Sequence, residues 1–206
     1  MNTIEKLTEY FAEFPGIGPR QAKRFVYYLL TRNVSYIGDF VKLVNELKKE
    51  IRVCHSCFRF FQSDIPNRDL CDICGNTGRE NDVVTIVSRD VDLENIERAR
   101  IFHGVYFILG GSVPILEKDP EKRIRAKELK VFIENKIKKD RLKEIIIALN
   151  ATPEGENTSD YVETLLKDLV TKNNIKVSHL GRGISTGTEL EYSDPETIKN
   201  ALDNRK

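Results

Sequence analysis

The chain has 206 residues, 33 of them Lys or Arg and 32 Asp or Glu, which leaves a formal net charge of +1. So even a balance identifies no partner through global charge, and the length allows one large domain or two small ones. No apolar run approaches the roughly 20 residues needed to cross a bilayer, and low-complexity stretches, Pro-rich linkers and internal repeats are absent, so the whole chain is expected to fold, without a membrane partner.

Ile4, Leu7 and Phe11 recur at helical spacing, as do Ala22, Phe25, Val26 and Leu29, and then Phe40, Leu43, Val44, Leu47 and Ile51. Three short helices are predicted. Between the first two lies Phe14-Pro15-Gly16-Ile17-Gly18-Pro19-Arg20, in which the glycines permit backbone geometry that a side chain would block and Pro19 suits the first turn of the next helix. The pattern resembles the helix-hairpin-helix motif, in which a Gly-Ile-Gly turn sets backbone amides at a helix start against a DNA phosphate. Free N–H groups and the helix dipole make such an end an anion site for any base sequence. Gly16, Ile17 and Gly18, followed by Arg20, Lys23 and Arg24, are therefore the candidate DNA contacts, sequence-independent and salt-sensitive. Residues 1–53 hold nine Lys or Arg against six Asp or Glu, an excess that agrees without being decisive.

All four cysteines fall in two pairs, Cys54-His55-Ser56-Cys57 and Cys71-Asp72-Ile73-Cys74, with thirteen residues between Cys57 and Cys71. Two residues between cysteines let both thiolates turn back on one loop, and two such knuckles complete the closed tetrahedral shell that Zn²⁺ prefers. Disulfides are the alternative, but the polar opening Met1-Asn2-Thr3-Ile4-Glu5-Lys6 does not read as a signal peptide, so reduced thiols and a cytoplasmic location are expected. Four protein ligands leave no open coordination position. The zinc at Cys54, Cys57, Cys71 and Cys74 is thus expected to be structural, and His55, inside the first knuckle, would replace a cysteine only by straining it.

Beyond Cys74 the period changes. Val83–Val87, Val105–Leu109, Ile145–Leu149 and Ile175–Leu180 are short apolar runs, and between them helical faces are marked by Leu93 and Ile96, by Leu129, Phe132, Ile133 and Ile137, and by Tyr161, Val162, Leu165, Leu166 and Leu169. Such alternation predicts a mostly parallel sheet with helices on its faces. Function in such sheets gathers where strands end, which selects Ser88-Arg89-Asp90, Gly110-Gly111-Ser112 and Asn150 through Glu156. The last segment, with Glu154-Gly155-Glu156 opening a helix after a buried strand, resembles the Toprim domain of topoisomerases, primases and some nucleases. Catalytic Toprim members hold Mg²⁺ with an acidic residue after the first strand and a paired Asp-x-Asp after the third. Here those positions are Ser88, Asn150 and Thr152, so a metal-dependent enzyme is disfavoured. Glu154 and Glu156 are left to bind Mg²⁺ weakly, to orient a neighbouring subunit or partner, or to serve the helix start, where negative charge suits the dipole.

The basic run Lys136, Lys138, Lys139, Arg141 and Lys143 reads as a solvated helix end, diluted by Glu134, Asp140 and Glu144, with a DNA path as the other reading. His103 and His179 have no paired nucleophile and read as structural. The glycine-rich stretch Gly181 to Tyr192 lacks the Lys of a phosphate-binding loop and is predicted to be a turn between strands. Asp194 and Pro195 then start a final short helix.

In order, a helix-hairpin-helix (1–53), a four-cysteine finger (54–78), a Toprim-like domain (79–178) and a glycine-rich C-terminal segment with a helix (179–206) resemble the bacterial recombination mediator family RecR over nearly the whole chain. The fold class is α+β and multidomain. The resemblance implies a non-enzymatic protein of DNA repair that binds single- and double-stranded DNA and assembles as a ring-like tetramer built from dimers. It also implies that RecO, RecF or both act with it in loading RecA onto single-stranded DNA. The alternative is a Mg²⁺-dependent Toprim nuclease or topoisomerase-like enzyme acting through Glu154, Glu156 and Asp90. Two departures from the family bear on partner binding: Ser88 in place of a usual Glu, and Glu117 to Arg123 in place of a usually glycine-containing loop.

Overall fold

The computed structural model describes all residues but 182, 185, 204 and 206, with residue 196 described through its backbone only. The chain divides into two compact units, Met1–Ile51 and Arg52–Lys206.

The first unit is helical: α1 (Thr3–Ala12), α2 (Pro19–Leu30) and α3 (Val34–Glu50). Asn2 and Glu5 form a reciprocal capping box at α1, the Asn2 side chain accepting from the Glu5 amide at 3.0 Å and the Glu5 carboxylate from the Asn2 amide at 2.8 Å. Asn33 caps α3 in the simpler way, accepting from the Tyr36 amide. Helices α1 and α2 pack together around Phe11, whose ring meets Phe25 edge-on at 5.7 Å. Only Ala22 and Val26 are fully buried among residues 1–51, and α3 buries none of its seventeen residues.

The boundary falls inside a small two-stranded sheet of β1 (Ile51–Val53) and β2 (Phe60–Gln62), too short for periodicity to have announced, and the second unit follows. Its body is a four-stranded sheet of β3 (Glu80–Val87), β4 (Gly104–Ile108), β5 (Glu144–Ala148) and β6 (Lys176–His179) in the order β4-β3-β5-β6. All neighbours are parallel, with Thr85 opposite both Tyr106 and Ile146, and Ile146 opposite Ser178. Parallel strands need crossovers, here α4 (Asp90–Ala99), α5 (Ala126–Asp140) and α6 (Pro153–Asn173).

Because side chains alternate along a strand, the sheet has two distinct faces. Val84, Ile86, Phe107, Ile145 and Ile147 pack with Leu129, Phe132 and Ile133 of α5 and with Val162 and Leu166 of α6. Val87, Tyr106, Ile108 and Ala148 pack instead with Leu93 of α4 and with Cys54, Cys57, Phe61, Cys71 and Ile73. The cysteine finger therefore shares the second face with α4. It also closes the edge of the sheet, since the Ile108 amide of β4 donates to the Cys57 carbonyl at 3.0 Å. The next residue, Phe58, takes a left-handed backbone (φ 64°), and its ring meets Phe107 edge-on at 5.4 Å in the first-face core. One knuckle thus straddles β4, covering an edge that would otherwise present unpaired backbone groups.

The expected turn between strands after β6 is not what the structure has. Among the described residues no strand follows β6; a single 3-10 turn at Leu190–Tyr192 leads into α7 (Pro195–Asp203). The reason is local: Asp194 accepts from the Thr197 amide at 2.9 Å and Pro195 occupies the first turn, so the chain commits to helix directly after the glycine-rich stretch. Arg182 and Ser185 of that stretch lie outside the described residues. Among the described residues no helix is long and apolar enough to cross a membrane.

Candidate metal centre and nucleic-acid interface

The four cysteines converge. Their sulfur atoms all lie within 4.8 Å of one another, Cys57 and Cys71 are 3.6 Å apart, and none is in a disulfide. Four thiolates about 2.3 Å from one Zn²⁺ stand about 3.8 Å from each other, so the cluster has the dimensions of a closed tetrahedral shell. Each knuckle is shaped by backbone bonds, Phe58 N to Cys54 O at 2.9 Å in the first and Gly75 N to Cys71 O at 2.9 Å in the second, and the His55 amide joins the two by donating to Asp69 O. The amides of Cys71 and Cys74 point at the sulfurs of Cys54 (3.4 Å) and Cys71 (3.5 Å), which suits thiolate rather than thiol. Hydrogen bonds from Cys57, then Cys71 and Cys74, pull the Cys54 pKa far down, while the same bond to Cys54 pushes the Cys57 thiol far up. A divalent cation at the centre of such a set would favour all four thiolates together. His55 is exposed and lies outside the ligand group.

The finger is tied to the sheet at a second point. The Phe60 amide of β2 donates to Asp90 Oδ1 at 2.8 Å, so the carboxylate offered by sequence as a third Mg²⁺ ligand already holds the finger. Below it, Arg79 forms a two-pronged pair with Glu97 of α4 and also donates to the carbonyls of Phe102 and Gly104, while the Tyr106 hydroxyl donates to Glu97 at 2.7 Å. Burial pushes Glu97 up, but the bonds from Arg79 and Tyr106 outweigh it and leave the carboxyl below its ordinary range. Sequence reasoning missed this network. Its members are spread over residues 79 to 106, and no motif joins them.

At the carboxyl edge of the sheet, Ser88 is buried and its carbonyl accepts from the Gly110 amide. Thr152 caps α6 by accepting from the Gly155 amide at 3.2 Å, and Asn150 is exposed. Gly155 is obligatory: a Cβ there would lie 1.9 Å from the Asn150 carbonyl oxygen. Asn157 and Thr158 of α6 stitch the neighbouring loop in place, Thr158 Oγ1 accepting from the Val113 amide at 2.8 Å and Asn157 donating to the Val113 carbonyl at 2.9 Å. Glu154 and Glu156 stand exposed in the first turn of α6. Among the described residues the cysteine cluster is the one group of three or more metal-ligating side chains within reach of a common ion. His179 pairs with Glu163 at 2.7 Å, and the Tyr106 ring is fully buried.

In the helical unit, Gly16 takes φ +76°, the left-handed region, and Ile17 is half-buried with its amide bonded to Phe14 O. Gly18 is the N-cap of α2 and supplies no side-chain acceptor, so the amides of the first turn lack the cap that α1, α3 and α6 have. Ala22 and Val26 mark the buried face of α2; Arg20, Lys23 and Arg24 are exposed and, at 100° per residue, Arg20 and Arg24 lie on the opposite side with Lys23 on the flank. Half-exposed Tyr27 falls in the same stripe, a residue the motif reading passed over although its spacing from Lys23 and Arg24 marks it.

A parallel sheet whose third strand leads into a helix with glutamates in its first turn, joined at its edge to a cluster of four cysteines able to hold a metal ion, defines a Toprim-domain protein. Residues 82–181 match the Toprim domain model, and residues 183–206 match the model described as RecR, C-terminal. Full-length relatives agree: the Recombination protein RecR of Ureaplasma urealyticum serovar 10 is 33% identical over 98% of this chain and 95% of its own length. The Recombination protein RecR of Prochlorococcus marinus strain AS9601 is 36% identical over 98% and 94%, and that of Dehalococcoides mccartyi 33% over 98% and 93%. The chain belongs to the RecR family of recombination proteins.

Proposed function

We propose that this protein is a non-enzymatic DNA clamp of recombinational repair, whose helical hairpins grip phosphates and whose oligomer, a tetramer built from dimers, encircles DNA. The observation that carries the reading is the first unit itself. Its α2 N-terminus is uncapped beside Arg20, Lys23 and Arg24, and fifty-one residues with two buried side chains are too few to hold a core alone. The first feature suits a phosphate backbone; the second calls for another copy to complete the fold. On this reading the protein binds single- and double-stranded DNA without base preference and works with RecO, RecF or both in loading RecA. The four cysteines hold Zn²⁺, which organises the knuckles and takes no part in chemistry.

Replacing Arg20, Lys23 and Arg24 together with alanine tests the hairpin's role. Three lost phosphate contacts lower the slope of log affinity against log salt by about 2 to 3. A variant that binds DNA with an unchanged slope removes the hairpin from the interface.

The Toprim fold keeps one second reading in play, Mg²⁺-dependent strand cleavage through Glu154 and Glu156. Against it stand Ser88 and Thr152 at the ligand positions and the engagement of Asp90 with Phe60. End-labelled duplex with a single-stranded tail, incubated with Mg²⁺, should remain intact on a denaturing gel while shifting on a native one. Protein-dependent cleavage that disappears in Glu154→Ala would establish the enzyme instead.

A further inference from the structure

From Phe14 to Gly38 the chain runs 25 residues without an Asp or Glu, its longest acid-free stretch, and carries four cations there, Arg20, Lys23, Arg24 and Arg32. Three of them stand on α2 with their charge open. Among the described residues Arg20 and Lys23 have no ion-pair partner, and Arg24 donates only to the neutral side chain of Gln21 at 3.2 Å. The carboxylates of the flanking helices do not compensate them: Glu5 caps α1, Glu46 pairs with Lys42 along α3, and Glu9, Glu13 and Asp39 pair with none of the α2 cations.

One aromatic ring rises among these charges. At 100° per residue, Arg20, Arg24, Tyr27 and the C-cap Thr31 fall within about 60° of one another on the side of α2 away from Ala22 and Val26, and Lys23 flanks Tyr27 by about 40°. Lys23 and Arg24 are therefore the neighbours of Tyr27 one turn back, and Arg20 lies two turns back, about 10 Å along the axis. The other tyrosines of the segment are taken. The Arg32 guanidinium lies 4.0 Å from the centre of the Tyr28 ring, and Tyr36 meets that ring edge-on at 6.4 Å. Tyr27 is 50% exposed and has neither kind of contact among the described residues.

An open π-face surrounded by unpaired cations selects its ligand on two counts. The cations call for a polyanion. The ring calls for a flat face to stack on, and in a duplex the base faces are closed by their own neighbours, leaving only base edges in the grooves. An unpaired base offers the face, and stacking on it tolerates any base. A protein partner suits the surface less well, because the line from Arg20 to Thr31 through Arg24 and Tyr27 has no aliphatic side chain for an interface core to bury.

We propose that the outward face of α2 binds single-stranded DNA, with the Tyr27 ring stacked on an unpaired base while Arg20, Lys23 and Arg24 hold the phosphates beside it. The inference rests on the clamp reading for its ligand, DNA, and adds to that reading a preference for unpaired strand and the residue that sets it.

The test titrates the zinc-loaded full chain, by anisotropy at fixed salt, against three fluorescein-labelled ligands of equal length: oligothymidine, a strand with abasic sites in place of every base, and a duplex. Tyr27→Ala is expected to weaken oligothymidine binding about 5- to 150-fold and to leave the abasic strand and the duplex within about twofold of wild type. Tyr27→Leu, which keeps the bulk and loses the ring, should behave like Tyr27→Ala, and Tyr27→Phe like wild type. Circular dichroism and sedimentation control for folding and assembly. Unchanged oligothymidine binding in both ring-less variants overturns the proposal, as does equal weakening of all three ligands. Loss of self-association in those variants also overturns it, by assigning the ring to a contact between copies. The clamp reading is judged separately, by the Arg20, Lys23 and Arg24 triple alanine variant. If that variant loses DNA while Tyr27→Ala does not, only the stacking fails; if wild type binds none of the three ligands, both fail.

Discussion

Leu47→Ala on α3 separates a chain that is complete by itself from one that is completed by another copy. In the single chain Leu47 is 60% exposed, beside Leu43 and Val44 on a helix that buries nothing. A surface substitution of that kind changes stability by no more than about 0.5 kcal/mol. If the face is covered by a second copy, the exposed three fifths of a side chain worth about 1.5 to 3 kcal/mol goes out of water on association, so the loss is about 1 to 2 kcal/mol per copy. A two-fold interface counts it twice, giving about 2 to 4 kcal/mol and a dimer dissociation constant raised roughly 30- to 1,000-fold. Sedimentation equilibrium over a wide concentration range measures that constant directly. A wild-type chain that stays monomeric at high concentration, or a variant that associates as tightly as wild type, would refute the reasoning and with it the clamp.

Three further outcomes test the metal site, the buried network and the loop after β5. Cys71→Ala should lose zinc, measured by a chromogenic chelator, and lower Tm by about 10 °C or more, since the knuckles that cap β4 and share the α4 face lose their organiser. Glu97, held below its ordinary range, contributes stability that is complete above about pH 5, where the unfolded carboxyl is already ionised, and that fades as pH falls through its lowered native value. Urea unfolding of Glu97→Gln between pH 3 and 7 should show a shallower acid decline than wild type, and parallel curves would assign the decline to other carboxylates. Gly155→Ala must move the Asn150 carbonyl and should cost about 1 to 3 kcal/mol in chemical unfolding; a neutral result would mean that the loop yields freely.

The parts of this fold legible in the sequence are those fixed by local chemistry. Two Cys-x2-Cys pairs bring four sulfur atoms to the spacing that one ion would require, and β-branched runs between amphipathic stretches leave little choice besides a parallel sheet. Asp194 and Pro195 likewise announced α7. What the sequence hid depends on contacts between distant residues. Phe58 reads as one more aromatic, yet its left-handed backbone turns the chain out of the first knuckle and drives the ring across the strand edge. The strand expected after β6 failed for the complementary reason. Turn-forming glycines show where a chain can bend, but here the helix start at Asp194 and Pro195 takes the chain before a strand forms.

Asp90 shows why the Toprim edge is more informative in three dimensions than in one. By sequence it is one of three acidic residues near positions where catalytic relatives of the fold hold Mg²⁺; in the structure its Oδ1 receives the Phe60 amide and joins the finger to the first turn of α4. The same finger bonds β4 through Cys57 O and contributes its cysteines to the core of that face. A divalent cation among the four sulfurs therefore stabilises more than a loop: it fixes the cover over one edge and one face of the sheet whose carboxyl end carries Glu154 and Glu156. Zinc loss should consequently be felt at Asp90 before it is felt at β6, on the far edge of the sheet. Amide hydrogen exchange after chelation tests that order, with early deprotection at Phe60 and Ile108 and retained protection at Lys176 of β6 as the expected pattern, and uniform deprotection as the result that would show the finger and the sheet to melt as one.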